Sequence, residues 1–319
     1  MRVWGLASIV LLAFAATATA EPLDFKYVPV EAKWIVHVDV DAMRAESIPQ
    51  EIYNKVVAAH KNVEDHFAKV EKELGMDPRK DLHSVTLYGP KLGDKLGVLV
   101  VHADVDQKVL QEKVKQAPDY KSETYGSYQL ASFTKKEHGH TVPVTGTFWK
   151  PNVIVFGSSP EVLKVVLDAM DGKRPTLAGT TSALTAEIPA GTTVVARAID
   201  LGDAAIPVKS PVVKQMDSLS LAMGESGSDA FLTAKIVTKS ADMAQQIKAV
   251  LEGARAMGQL RFNGDEDAQK IINQLKVSVT DKTVEVAFRA PAGDVLAHLE
   301  KAAKHFAEMH KHFKHAEKK

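Results

Sequence analysis

No cysteine occurs in the 319 residues. That leaves no acceptor for a lipoprotein anchor and no disulfide, so whatever folds must be held by its apolar cores alone. Excess charge is lacking too, with 40 basic against 40 acidic residues. A balanced chain has no field to steer nucleic acid and does not require an anionic membrane as partner. Beyond Ala20 there is no long apolar run, so the remaining chain carries no transmembrane anchor. Catalytic signatures are missing as well: no zincin helix, no phosphate-cradling glycine loop, no dinucleotide fingerprint.

The chain begins with a secretory pattern. Arg2 is the only charge before an apolar stretch from Val3 to Ala16, and Ala18-Thr19-Ala20 supplies small residues for cleavage ahead of Glu21-Pro22. The stretch is too short for a membrane span and no basic stop signal follows it, which predicts a cleaved signal peptide over 1–20 and export to the periplasm or medium. Some 45% apolar and 25% charged residues then describe an ordinary globular chain.

Periodicity predicts its elements. Trp34 to Val40 alternates as a strand, Asp41 stands at a helix N-cap, and Ile52, Val56, Ala59, Val63, Phe67, Val70 and Leu74 mark one long amphipathic helix closed by Gly75. A hairpin from Ser84–Gly89 and Leu96–Ala103 follows, then a helix capped by Asp104 or Asp106 and ending before Pro118. Strands over Tyr125–Phe133, Val142–Trp149 and Val153–Gly157 precede a helix opened by Ser159-Pro160. Gly172, Pro175 and Gly179 punctuate a linker.

The grammar then repeats. Thr192–Ile199 is a strand, Leu219–Met223 and Ala230–Val237 form a hairpin, Asp242 leads a helix, and a shorter helix around Ala268–Leu275 precedes strands Val277–Val279 and Val284–Phe288 and a last helix after Pro291. Ser84-Val85-Thr86-Leu87 recurs as Ser218-Leu219-Ser220-Leu221, and Asp106 is answered by Asp242 at nearly the same offset. The expectation is an α+β fold of two tandem similar units of antiparallel strands with covering helices, 21–178 and 179–296, followed by an amphipathic helix and basic His-rich tail over 297–319.

Pro29-Val30-Glu31-Ala32-Lys33-Trp34 leading into His37-Val38-Asp39-Val40-Asp41-Ala42, with Ser84-Val85-Thr86-Leu87-Tyr88-Gly89 and Gly157-Ser158-Ser159-Pro160, resembles a family of exported bacterial proteins of unknown function. The resemblance spans roughly residues 25 to 300 and implies a duplicated secreted α+β protein. It assigns no site residue.

Several constellations could carry chemistry. Gly224-Glu225-Ser226-Gly227-Ser228 approaches a nucleophile elbow, but Ser228 stands where the last glycine belongs and strands flank it, so it reads as a hairpin loop. Glu137-His138-Gly139-His140 reads as a solvated hairpin tip, since two imidazoles do not make a metal site. Asp39 and Asp41 share one face of a strand end and could seat a cation or pair as acid and base; a strand edge followed by a helix cap is the plainer reading. His37, His60, His66, His83 and His102 are scattered singly. On the last helix Val295, Leu299, Ala302, Phe306, Met309 and Phe313 form a docking stripe, while His305, Glu308, His312 and His315 form a metal-ligating one, opposed by Lys304, Lys311 and Lys314.

The function expected is that of a non-catalytic extracytoplasmic protein, binding or structural, whose partner is an unknown ligand or protein and which needs no cofactor. Two alternatives stand beside it. One is a hydrolase whose site assembles only in space, recognisable by a concave carboxylate cluster or a Ser beside a His. The other is metal binding through the terminal His stripe.

Overall fold

The computed structural model describes residues 22–59, 62–93, 97–137, 140–203 and 212–301. The expected signal peptide, His138 and the terminal His305, Glu308, His312 and His315 lie outside them.

Strand β1, Trp34–Asp39, runs straight into α1, Val40–Ala45, and then α2, Ser47–Ala59. Helices α3, Asn62–Leu74, and α4, Pro78–Asp81, lead to β2, Leu82–Gly89, and β3, Val98–Ala103. Helix α5, Gln107–Lys115, precedes four strands: β4 Lys121–Tyr125, β5 Tyr128–Glu137, β6 His140–Lys150 and β7 Val153–Gly157. Helix α6, Pro160–Met170, closes the first half. The second half is β8 Thr192–Ile199, β9 Met216–Ser226, β10 Asp229–Thr238, α7 Ala241–Arg261, α8 Glu266–Asn273, β11 Lys276–Thr280 and β12 Thr283–Pro291, with a helix α9 over residues 292–301.

The fold is α+β, as the sequence predicts. The twelve strands among the described residues lie in one antiparallel sheet, ordered β11-β12-β10-β9-β8-β1-β2-β3-β7-β6-β5-β4. The first strands of the two halves, β1 and β8, pair at its centre, with His37 opposite Val195. Outward from that seam the first half runs 1-2-3-7-6-5-4 and the second 8-9-10-12-11, so the first five positions correspond and β5 and β4 have no counterpart. Ser84 opposite Asp39 in β1 and Ser218 opposite Ile199 in β8 hold matching register positions.

Alternation sorts the side chains onto two faces. On the back, Val85, Leu99 and their neighbours pack beneath α1 and the Met76 and Val105 loops, and Ile236 and Val284 pack under Ala244 and Ile247 of α7. On the front of the first half, Ile35, Tyr88, Val100 and Val155 lie under Val166 and Met170 of α6, under the stretches carrying Val28 and Leu177, and under Leu184 of the 3-10 turn Ala183–Thr185. The linker at 172–179 is therefore packed, with Pro29 bridging to Thr176 and Leu177 buried.

Local signals hold where they were strong. Asp106 caps α5 through Lys108 N and Val109 N, Ser159 caps α6, and Gly75 takes a φ of +67° at the end of α3. Four details differ. The predicted strand Tyr125–Phe133 is broken by a turn at Gly126-Ser127, because Gly126 adopts φ +59° and lets β4 fold back on β5. Helix α7 is capped by Ser240, with Asp242 in its first turn. The long helix is described as α2 and α3 on either side of residues 60 and 61, which lie outside the described set. Lastly, Asp39, not Asp41, is the N-cap of α1, its carboxylate accepting Ala42 N at 2.8 Å.

Candidate functional site

The cap shift at Asp39 decides what the strand end can do. Helix geometry starts at Val40, and two residues in a helix point about 200° apart, so Asp39 and Asp41 leave on different sides. Asp41 is buried, ion-pairs with the buried Arg44 and lies 2.9 Å from Nδ1 of His83, whose Nε2 is 3.2 Å from Asp104. Burial opposes the charge on His83, but Asp41 and Asp104 outweigh it and raise its pKa above the usual imidazole value. Arg44 also donates to the carbonyls of Pro78 and Leu82, so this network pins α1 to α4. The plainer reading holds, a strand edge followed by a helix cap, with the cap at Asp39; the alternative pairing of Asp39 with Asp41 as acid and base does not form.

Asp39 faces the front. There β1 presents His37 and Asp39 opposite Thr86 and Ser84 of β2, and Ser84 stands opposite His102 of β3. His37 Nδ1 lies 2.9 Å from Thr86 Oγ1, and all five of these side chains are buried. The ring of Tyr27 lies 5.5 Å from that of His102, as part of the N-terminal stretch that covers this polar row. A serine next to a histidine and an aspartate was one mark of a hidden hydrolase. Here the serine sits between the other two along the row, and its strand is laddered on both sides by β1 and β3. A triad needs the imidazole in the middle and free N–H donors for an oxyanion, and a central strand supplies neither.

Next to this row the two halves lock together. Helix α1 ends at Glu46, which swings over β8 and β9 and accepts the N–H of Glu225 at 2.8 Å. Glu225 in return accepts from Ser47 N, Ser47 Oγ and Ile48 N, each at 2.8 Å, capping α2 with a carboxylate from 178 residues away. The backbones must approach closely for this exchange. A Cβ on Gly224 would lie 2.0 Å from Gly191 O, and one on Gly191, at φ +79°, 2.4 Å from Glu225 O.

A cleft of about 660 Å³ opens over the lock. Its charged and polar lining is Asp39, Glu46, Glu225, His37, Thr192 and Thr193, with no lysine or arginine, while Leu23 and Ile188 form apolar walls. Burial pushes Glu46 up to about 7; the charges of Glu225 and Asp39 add to this, and hydrogen bonds from Glu225 N and Thr193 oppose it. The cleft thus holds a half-protonated carboxyl near neutral pH beside two further acids, a concave carboxylate cluster of the kind that marks the hydrolase alternative, though Asp39 and Glu225 are already engaged by backbone N–H groups.

With this geometry in hand the chain was compared with known proteins. No family model and no curated protein matches it. Solved structures of TP0453, a Treponema protein, are similar. Crystal form III gives a TM-score of 0.46 at 11% identity over 87% of this chain and 97% of that one. Crystal form I gives 0.44 at 10%, over 90% and 99%. At that distance the likeness carries nothing about site or activity.

The other sequence candidates lie apart from the cleft. Glu137 and His140 pair at the β5–β6 tip, His102 borders the polar row, and His83 belongs to the Arg44 network. Among the described residues no group of three or more His, Asp or Glu is placed to hold a metal ion, and no helix is long and apolar enough to cross a membrane. Sequence reasoning missed Glu46 and Glu225. Glu225 was read as a loop residue of Gly224-Glu225-Ser226, whereas these three residues end strand β9 in register with β10, and no local pattern announces a partner at such separation.

Proposed function

We propose that this is an exported, non-catalytic binding protein whose ligand is a small organic cation seated in the central cleft. One observation carries the reading: Asp39, Glu46 and Glu225 converge in one cleft without a lysine or arginine among its lining residues, and Glu46 is held up to about 7. A carboxyl kept protonated by burial is relieved by an incoming ammonium, which supplies the missing counter-charge and donates its N–H groups to the ionised carboxylate. Direct metal chelation suits the cleft less, because Asp39 and Glu225 already spend carboxylate oxygens on backbone N–H groups.

Titration calorimetry with putrescine at pH 6.5 tests this, with 1,4-butanediol as the neutral match. Binding of the diamine should release a proton from Glu46, so the enthalpy must vary with the ionisation heat of the buffer, and Glu46→Gln should abolish that variation. Equal binding of the diol, or an enthalpy independent of buffer, would overturn the proposal.

The matching strand orders on either side of the β1–β8 seam, and the matching register of Ser84 and Ser218, support the further reading that the chain arose by duplication of one α+β unit. On that reading the cleft is a product of the join, since each half contributes at least one of its carboxylates.

A further inference from the structure

The front of the second half differs from that of the first. In the first half α6 lies over β5, β6 and β7, with Leu163 and Leu167 packed on Leu130. In the second, α9 sits instead by α8 and α2, through Lys270–Asp294, Lys301–Asp267 and Lys55–Glu300. The front of β9 and β10 is left as a groove of about 590 Å³.

Its shape follows from register. Arg197, Ser220, Lys235 and Glu285 lie directly opposite one another across β8, β9, β10 and β12, a row in which a small residue separates two long cations. Ser218 and Ala222 continue the small floor along β9. Lys235 is exposed and 3.7 Å from Glu285, so its charge is answered.

The charge on Arg197 is not. This residue is 4% exposed, donates from Nη1 to Leu184 O at 2.8 Å and from Nη2 to Glu187 O at 3.0 Å, and leaves Nε with no acceptor. Among the described residues no carboxylate pairs with it. Two of its five donors are used on neutral carbonyls and three remain. A buried cation without a counter-ion, and a buried N–H without an acceptor, are each costly, and one ligand group can repair both.

We propose that the groove binds a monoanionic carboxylate, held in bidentate fashion by the Nε edge of Arg197, with its body lying over Ser218, Ser220 and Thr233. A guanidinium edge matches a carboxylate in plane and spacing. A dianion fits less well, because Glu187 and Glu285 stand at the rim and only one cation is unanswered. Nε is covered in the ligand-free state, so seating the anion shifts the stretch from Ala183 to Glu187, three of whose five residues are exposed.

The test is a ¹H–¹⁵N titration of the full mature chain that follows the Arg197 Nε–H resonance, with butyrate as probe, butyramide as neutral match and methyl phosphate as dianion. Butyrate should shift that resonance and the amides of Leu184 to Ile188 saturably, while butyramide should leave them in place. Ser220→Leu, which fills the floor directly opposite Arg197 but keeps the guanidinium, should weaken butyrate by at least about tenfold. Arg197→Lys should abolish the response, and if that variant fails to fold, Ser220→Leu decides alone. The proposal is overturned if butyrate gives no saturable shift, if butyramide matches it, if methyl phosphate binds more tightly, or if Ser220→Leu leaves the affinity unchanged.

Discussion

Replacing Glu46 with glutamine should stabilise the protein, and only above a definite pH. The carboxyl lies under the β8–β9 lock, where burial raises its pKa from 4.5 to about 7. A raised acid pKa means that the folded state holds its proton more tightly than the unfolded chain. Its stabilising contribution is complete below 4.5 and is lost as pH climbs to about 7, beyond which both states are ionised and the loss is constant. At about 1.4 kcal/mol per unit, the shift amounts to about 3 kcal/mol, or about 2 after allowing for partial exposure of the side chain. Glutamine keeps an oxygen to accept the Glu225 N–H and cannot ionise, so it mimics the protonated acid at every pH. Urea unfolding of both proteins at pH 5 and pH 8 measures the effect. Glu46→Gln should lie within about 1 kcal/mol of the parent at pH 5 and exceed it by about 2 to 3 kcal/mol at pH 8. His83, whose pKa is also raised, loses its contribution with rising pH in both proteins and cancels in the difference. Parallel pH curves for the two proteins would refute the reasoning, since a carboxyl that costs nothing to ionise is not buried at the seam.

Three other outcomes follow from named contacts. Asp41→Asn strips the buried Arg44 of its counter-ion and should cost about 3 to 5 kcal/mol in a denaturant titration, whereas Asp39→Asn, which keeps an oxygen for Ala42 N, should cost far less. Gly191→Ala forces a Cβ to 2.4 Å from Glu225 O at φ +79° and should destabilise by at least about 2 kcal/mol; a melting temperature equal to the parent's would show that the seam is looser than described. Export predicts that the intact mass of the protein recovered outside the cytoplasm begins at Glu21; recovery of the chain with Met1 to Ala20 attached would contradict it.

The elements were legible because each carries its own signal. Thr192–Ile199 is rich in β-branched residues and is β8, and Ser159-Pro160 states a cap and a first turn. The errors fall where one residue decides between two backbones. Val40 continues the alternation of β1 but begins α1, because Asp39 satisfies Ala42 N and the buried Asp41–Arg44 pair needs a helix to form. Gly126 splits a run of strand formers that composition alone cannot split. The site was hardly legible at all. Glu46 and Glu225 are ordinary in their local windows, and their chemistry arises from 179 residues of separation closed by the β1–β8 seam.

That separation also says where in such a scaffold chemistry can differ from one half to the other. Matching register positions give Asp39, Ser84, His102 and Val153 across the first half and Ile199, Ser218, Val237 and Thr283 across the second. Only the serine persists, so the polar row belongs to one half alone. The covering differs in the same sense, with α6 over the front of the first half and α9 beside the back helices of the second. A shared strand order sets the spacing of the sheet, which both halves need in order to fold. Charge is least constrained where that packing makes no demand, at the seam and on the uncovered front. Those are the two places where Glu46 and Arg197 stand without counter-charges, one acidic and one basic, on opposite sides of the stretch from Ala183 to Pro189 that lines both cavities.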